Sequence, residues 1–418
     1  MYITIRDRPG RTAGARAGRV TSTVLLLGTV SLLTDISSES VNAVLGVYLV
    51  SYLGYTTLAY GVLDSLYQGV SALVRLAAGW LADRTAQPKW IAASGYGLSA
   101  LVRAGLVVFS GFGAISAVVT LDRLGKGVRT APRDALISAS SPPEQLGRAF
   151  GVHRSLDTVG AMLGPLLAFA VLLAVPTGFT TVFVMSFGFA VVGVVVLLLF
   201  VPNLRPGRAA ATRAPAPRPS LALLLRPSFA RLCLGATLLG LLTISDSFLY
   251  LELQRRDDLA VKYFPLLFVG SNLAYLALAV PLGRLADRIG RVKVFVAGHL
   301  ALLLAYLAAG GGWTGAGATL ACLLLLGSYY AATDGVLAAL AGQLSPVAVR
   351  TSGIATAQTL QALARAGASL AFGALWAAHG AVTALRIMIW LLAFAVPVAG
   401  LLLRGTERDR AEVEVAAG

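Results

Sequence analysis

Apolar residues run along this chain in stretches of about twenty, and turn-forming or charged residues separate them. A bilayer core takes roughly 20 residues of helix to cross. With charged interruptions allowed, the pattern predicts spans at 20–50, 55–78, 90–110, 114–138, 148–172 and 178–201. A second set follows at 229–251, 263–283, 293–310, 316–341, 351–376 and 381–403. No segment alternates with the period of a barrel strand, and a helix is the other element that satisfies its own backbone in lipid. The expected fold is all-α and integral to a membrane. Twelve helices form two six-helix bundles, at 20–201 and 229–403.

Composition supports the pattern. Of 418 residues, 57% are hydrophobic and 13% charged, against about a quarter charged in a soluble domain. Too little polar surface remains to cover a water-soluble body of this size.

The net charge of +15 could point to nucleic acid, but its placement is topological and no nucleic-acid motif accompanies it. Arginines crowd residues 1–19, the connection 202–228 and the tail 404–418. The connections at 79–89, 140–148, 284–293 and 342–350 also carry Arg or Lys, whereas those on the alternate side carry none. Basic residues resist translocation, so both termini are expected in the cytoplasm of a cell whose inner or plasma membrane holds the chain. The connection after the seventh helix, with Arg255, Arg256, Asp257, Asp258 and Lys262, is the exception and is mixed in sign. The first apolar run leads into Asp35 and Glu39 without a small-residue cleavage site, which reads as an uncleaved helix. Residues 202–228, rich in Pro, Ala and Arg, read as a flexible linker between halves.

One segment occurs twice. Gly79-Trp-Leu-Ala-Asp-Arg-Thr-Ala-Gln-Pro-Lys89 returns as Gly283-Arg-Leu-Ala-Asp-Arg-Ile-Gly-Arg-Val-Lys293, with six of eleven positions identical. Each copy follows the second helix of its half. A repeat at equivalent positions is the signature of a carrier that rocks about a central site.

These segments resemble the cytoplasmic loop signature of the major facilitator superfamily. The resemblance implies the major facilitator fold of two pseudo-symmetric bundles, and a membrane transporter rather than an enzyme. It also implies charge contacts that lock the cytoplasmic side, through Gly79, Asp83, Arg84 and Lys89 in the first copy and Gly283, Asp287, Arg288, Arg291 and Lys293 in the second. The alternative is a loop that only orients the chain. The first copy departs from the pattern at Ala86, Gln87 and Pro88. In the same family an acidic partner of the lock often stands near the cytoplasmic end of the fourth helix, here Asp134; Asp334 on the tenth helix occupies a similar depth in the second half and joins the gate candidates.

Charges inside spans are costly unless they pair or line water. The fourth helix carries Asp122, Arg123, Lys126, Arg129 and Arg133. Arg123 with Gly127 resembles the family's Arg-x-x-x-Gly signature, associated with proton handling; the alternative is static pairing. The fifth helix carries His153, Arg154 and Asp157, then Gly160, Gly164 and Pro165. The glycine spacing permits close helix approach and resembles the signature of drug/proton antiporters, except that Ala168 replaces its final Gly. Asp35, Glu39 and Asn42 share one face of the first helix, Asp64 and Gln68 one face of the second, and Asp246 lies in the seventh.

A desolvated carboxylate can take and release protons near neutral pH. Asp35, Glu39, Asp64 and Arg123 are therefore the proton-coupling candidates, with Asp35 first. Asn42, Gln68, Arg103, Asp122, Lys126, Arg154, Asp157 and Asp246 are candidates to line a substrate cavity. The acids could equally hold static pairs with Arg75, Arg103, Arg123 or Arg154. Tyr329 and Tyr330 read as core or lipid-facing. No His/Cys/Asp spacing forms a metal site, no phosphate-binding loop is present, and no cofactor is expected.

The resulting expectation is proton-coupled efflux of a small organic molecule by a monomer, with protons and the bilayer as its other partners. Uptake of an anionic solute by symport is the first alternative, and a non-transporting sensor or assembly factor the second.

Overall fold

The computed structural model describes residues 20–82, 87–142, 145–204, 226–346 and 349–404. The described residues form thirteen α-helices: α1 Ser22–Val47, α2 Thr57–Ala82, α3 Pro88–Val108, α4 Phe112–Ser140, α5 Leu146–Ala174, α6 Phe179–Phe200, α7 Pro227–Gly240, α8 Asp246–Arg256, α9 Phe264–Ile289, α10 Arg291–Gly310, α11 Ala316–Gln343, α12 Arg350–His379 and α13 Ala381–Leu402. A π turn, Tyr48–Tyr52, extends α1.

Twelve spans were expected and thirteen helices occur because the seventh span is broken. The continuous apolar run read at 229–251 divides into α7 and α8, with Leu241 to Ser245 between them. Hydropathy could not show this, since the five intervening residues are as compatible with a helix interior as their neighbours. Local chemistry marks the restart, with Ser245 in extended backbone as the N-cap and Asp246 in the first turn of α8.

Glycine sets three other boundaries. Gly290 (φ 106°) separates α9 from α10, Gly315 (φ 88°) precedes α11, and Gly380 (φ 80°) separates α12 from α13. A side chain at these angles would be strained. Gly290 belongs to the second copy of the repeated segment; the equivalent Ala86 lies outside the described residues.

Contacts divide the chain into two compact units. One joins Met1–Val44 with Val74–Ala216, the other Leu45–Leu73 with Pro217–Gly418. In the first, Val24, Leu27 and Val30 of α1 pack with Ala92, Ala93 and Tyr96 of α3, Leu136 and Ile137 of α4, Ala149 of α5 and Leu197 of α6. Gly95 and Gly125 let α3 and α4 touch: a Cβ on Gly95 would stand 2.7 Å from the Gly125 carbonyl oxygen, and one on Gly125 equally close to that of Gly95. Gly160 and Gly164 do the same for α5 against α1, where added Cβ atoms would meet the Leu32 carbonyl oxygen at 2.5 Å and the Ser40 nitrogen at 2.8 Å. In the second unit, Tyr60, Phe248 and Phe372 stack edge to face at 5.0 Å between neighbouring centroids.

Eight helices among the described residues are long and apolar enough to cross a membrane by length and composition alone. The fourth span, α4, is not among them, because it carries the ionic groups described next.

Candidate functional site

Each unit holds a polar cluster among its packed helices. In the first, Asp122 of α4 is gripped from both sides: Arg103 of α3 reaches one oxygen at 2.8 Å, and Arg123 binds the other. Arg103 also donates to the Ser37 and Ser38 hydroxyls of α1. Ser37 and Ser186 of α6 hydrogen-bond each other at 2.9 Å. Arg103, Asp122 and Arg123 are each less than a tenth exposed. The static-pairing alternative for Arg123 thus has a concrete partner, and Asp122 and Arg103 join it in one buried network.

A second group lies beside it. Asp35 of α1 stands 3.9 Å from Lys126 of α4, and its carboxyl is in hydrogen-bond contact with that of Asp157 on α5. Two adjacent negative charges repel strongly away from water, so this contact favours one proton shared by the two carboxyls over two ionised ones. Arg129, stacked on Tyr96 at 4.4 Å, and Arg133 add positive charge nearby. Asp35 is buried, whereas Asp157 and Lys126 are partly exposed. The site therefore has one sheltered carboxyl and one accessible carboxyl. Arg154 is exposed and reaches Asp157 at 3.8 Å.

Glu39 and Asn42 stand apart from this group, with Asn42 donating to Glu39 at 3.3 Å. Arg133 pairs with Asp134 at 2.9 Å. Asp134 is thereby occupied by its chain neighbour.

The second cluster surrounds the break in the seventh span. Tyr306 of α10, fully buried, spans the break with a single hydroxyl: it donates to the Leu242 carbonyl at 2.9 Å and accepts from the Ile244 amide at 2.8 Å. Asp64 of α2 accepts from Ser245 at 3.1 Å, Gln68 at 2.7 Å and Ser369 of α12 at 2.6 Å. Tyr330 of α11 donates to Asp246 at 2.8 Å. Arg365 of α12 donates to Tyr329 at 2.5 Å, lies over both tyrosine rings at 5.7 and 5.6 Å, and stands 3.9 Å from Asp334. Asp334 therefore sits with the cluster around Arg365. Tyr330 is drawn into the polar cluster, while Tyr329 combines a core position with a hydrogen bond to Arg365.

Arg365, Ser245, Ser369 and Tyr306 were absent from the sequence candidates. Arg365 carried a usable signal, a lone charge inside the apolar run 351–376. Tyr306 and the two serines carried none, because nothing in a sequence says which hydroxyl meets a helix break.

Of the loop residues, Asp83 and Arg84 lie outside the described residues, as do the basic segment 1–19, residues 205–225 and the tail 405–418. Gly79 is within α2. Lys89, at the start of α3, donates to the Leu198 carbonyl in the last turn of α6 at 2.9 Å, a helix-end contact. In the second copy, Arg291 pairs with Asp287 at 2.8 Å across one turn, while Arg288 and Lys293 are exposed. Gly283 lies inside α9 with open space around its Cβ position.

Comparison with known proteins adds context to this geometry. A family model described as Major Facilitator Superfamily matches residues 27–264. An uncharacterized MFS-type transporter of Methanocaldococcus jannaschii is 27% identical over 367 residues, covering 84% of this chain and 88% of that protein. An uncharacterized protein of Mycobacterium tuberculosis is 36% identical over 143 residues, about a third of each chain (34% and 35%). Among solved structures, the nucleoside transporter NupG superposes with a TM-score of 0.79 at 15% identity, covering 92% of this chain and all of the other (100%). A bacterial homolog of the human lysosomal transporter Spinster gives 0.74 at 14%, covering 95% and 99%. At such identities the structural likeness concerns the fold.

Proposed function

Since the chain belongs to the Major Facilitator Superfamily, we propose that this multi-pass membrane transporter is a proton-coupled antiporter that exports small organic molecules. The observation that carries the reading is the contact between the carboxyls of Asp35 and Asp157 beside Lys126. Asp157 exchanges the shared proton with water. When the proton leaves, Asp35 turns to Lys126 and the charge balance of α1, α4 and α5 changes. Proton release and substrate movement are thereby tied to one rearrangement.

Export is supported by the fifth-helix signature, whose Gly160 and Gly164 are in backbone contact with α1, the helix that holds Asp35. Both termini lie in the cytoplasm, in keeping with the basic segments. Closing that side is the role the family resemblance implies for the two Gly-x-Leu-Ala-Asp-Arg loops.

The test is proton flux in proteoliposomes under an imposed pH gradient, read with an internal pH dye. Asp35→Asn and Asp157→Asn should each abolish substrate-linked flux while the protein remains folded. Intact coupling in both variants would remove the assignment.

A second reading, symport of an anionic solute, draws on the charge of the first cluster, where Arg103, Arg123, Lys126, Arg129 and Arg133 outnumber Asp35, Asp122, Asp134 and Asp157. Accumulation in inverted versus right-side-out vesicles under one gradient distinguishes the two by direction.

A further inference from the structure

Asp64 is held unlike the described aspartates of the first unit, each of which has a cationic partner. It has three hydrogen-bond donors, Ser245, Ser369 and Gln68, and all three are neutral. Among the described residues no Lys, Arg or His forms an ion pair with it. The titratable groups facing it are Tyr60 on its own helix and Asp246 on α8, while α12 presents Ser369 and, one turn away, Arg365, which is engaged by Tyr329, Tyr330 and Asp334. The cation on α12 is thus committed to other partners, and Asp64 itself keeps neutral donors.

The donors come from different elements, and the helices around them are in backbone contact. A Cβ on Gly61 would stand 2.7 Å from the Ser369 carbonyl oxygen, and one on Gly373 2.7 Å from that of Thr57. The Thr57 hydroxyl also donates to the Gly373 carbonyl at 3.3 Å. Asp64 thus ties the first turns of α2 to α12 and to the restart of the broken span, at the end where α2 begins and α12 finishes.

We propose that Asp64 is a proton-operated latch on this end of the second unit: the protonated carboxyl closes α2 on α12, and the ionised carboxylate favours their separation. The physical reason is asymmetric desolvation. A neutral carboxyl keeps its hydrogen bonds when it leaves water, whereas a carboxylate with no cation loses hydration that neutral donors replace only in part. Closing therefore takes up a proton, and opening to alkaline solution releases it. The latch rests on the reading of the chain as a proton-coupled carrier and adds a second proton-binding position to the Asp35–Asp157 pair.

The test places spin labels at Thr56→Cys and His379→Cys, both exposed at the ends of α2 and α12. Cys233 and Cys322 are buried and remain unlabelled. Electron–electron distances in lipid nanodiscs should be short at about pH 5.5 and gain a longer population at about pH 8.5. Asp64→Asn, which mimics the protonated form, should reduce the long population at the higher pH by about fivefold or more, equivalent to about 1 kcal/mol. Ser369→Ala removes one donor to the ionised form and should move the opening midpoint to lower pH.

A wild-type distance indifferent to pH, an Asp64→Asn variant that opens like wild type, or an unmoved midpoint in Ser369→Ala would each overturn the latch. Asp64-dependent distances without proton-coupled flux in liposomes would retain the latch and refute the carrier reading. Coupled flux with unchanged distances in Asp64→Asn would do the reverse.

Discussion

Arg256 and Asp257 are adjacent in the chain, pair through two contacts at 2.9 and 3.0 Å, and together cap the facing ends of two other helices. Arg256 donates to the Ala308 and Ala309 carbonyls at the end of α10, at 2.6 and 2.8 Å. Asp257 accepts from the Gly315 amide at 3.1 Å and the Thr319 hydroxyl at 2.8 Å at the start of α11. Cations suit helix C-termini and anions N-termini. This is the mixed-sign connection that breaks the charge asymmetry of the loops; its arginine is neutralised in place and satisfies carbonyls.

The hydrogen bonds from Arg256, followed by those from Gly315 and Thr319, hold the Asp257 carboxyl down at about 2 despite its burial. A depressed carboxyl contributes stability above its ordinary value of 3.8, and the contribution is lost as pH falls through the folded value of about 2. Asp257→Asn should cost about 2 kcal/mol at neutral pH. It should also flatten the decline in melting temperature between 3.8 and about 2, measured by intrinsic fluorescence in detergent.

Asp122 and Asp35 should separate stability from coupling. Asp122→Ala removes the buried carboxylate that Arg103 and Arg123 share and should destabilise by about 3–5 kcal/mol, seen as a lower melting temperature and poor yield. Asp35→Asn keeps its shape and leaves Asp157 a hydrogen-bonding partner, so its melting should stay close to wild type. A large loss of stability in Asp35→Asn would make that residue structural.

Gly164→Val tests the contact of α5 with α1. The added atoms would enter space held by Ser40 and Ile36 backbone and by the Glu39 side chain. Overpacking of this kind costs about 1–3 kcal/mol, and thermal melting should report it. Gly97→Val, with no neighbour around its Cβ position, is the control; a matching loss there would point to helix propensity.

Tyr306→Phe removes only an oxygen, yet it should destabilise by about 1–3 kcal/mol, because the Leu242 carbonyl and Ile244 amide lose their partner. Amide exchange at Ile244 should rise above wild type.

The membrane fold was legible because lipid imposes one rule on every span, a long apolar run. The repeated loop carried the resemblance to the family that the matching model shows. Asp35, Asp122 and Asp157 were visible as charges where charges are costly, and Asp122 proved to be the one gripped by two arginines because Arg103, nineteen residues upstream, faces it from the neighbouring helix. The broken span escaped because its apolar residues satisfy hydropathy whether or not the helix is continuous. Ser245 and Ser369 escaped because a serine in a membrane helix costs little, and its role depends on the carboxyl that folding brings opposite it.

The single oxygen at the break in the seventh span also limits how that span can bend. A helix interrupted in lipid would normally expose a carbonyl and an amide whenever its pieces shift. Here Tyr306, anchored on α10 outside the axis, serves both groups at once. It acts as the pin of a hinge: α7 and α8 can swing about that point with both bonds kept, whereas sliding past each other would break one of them. The joint favours rotation over translation.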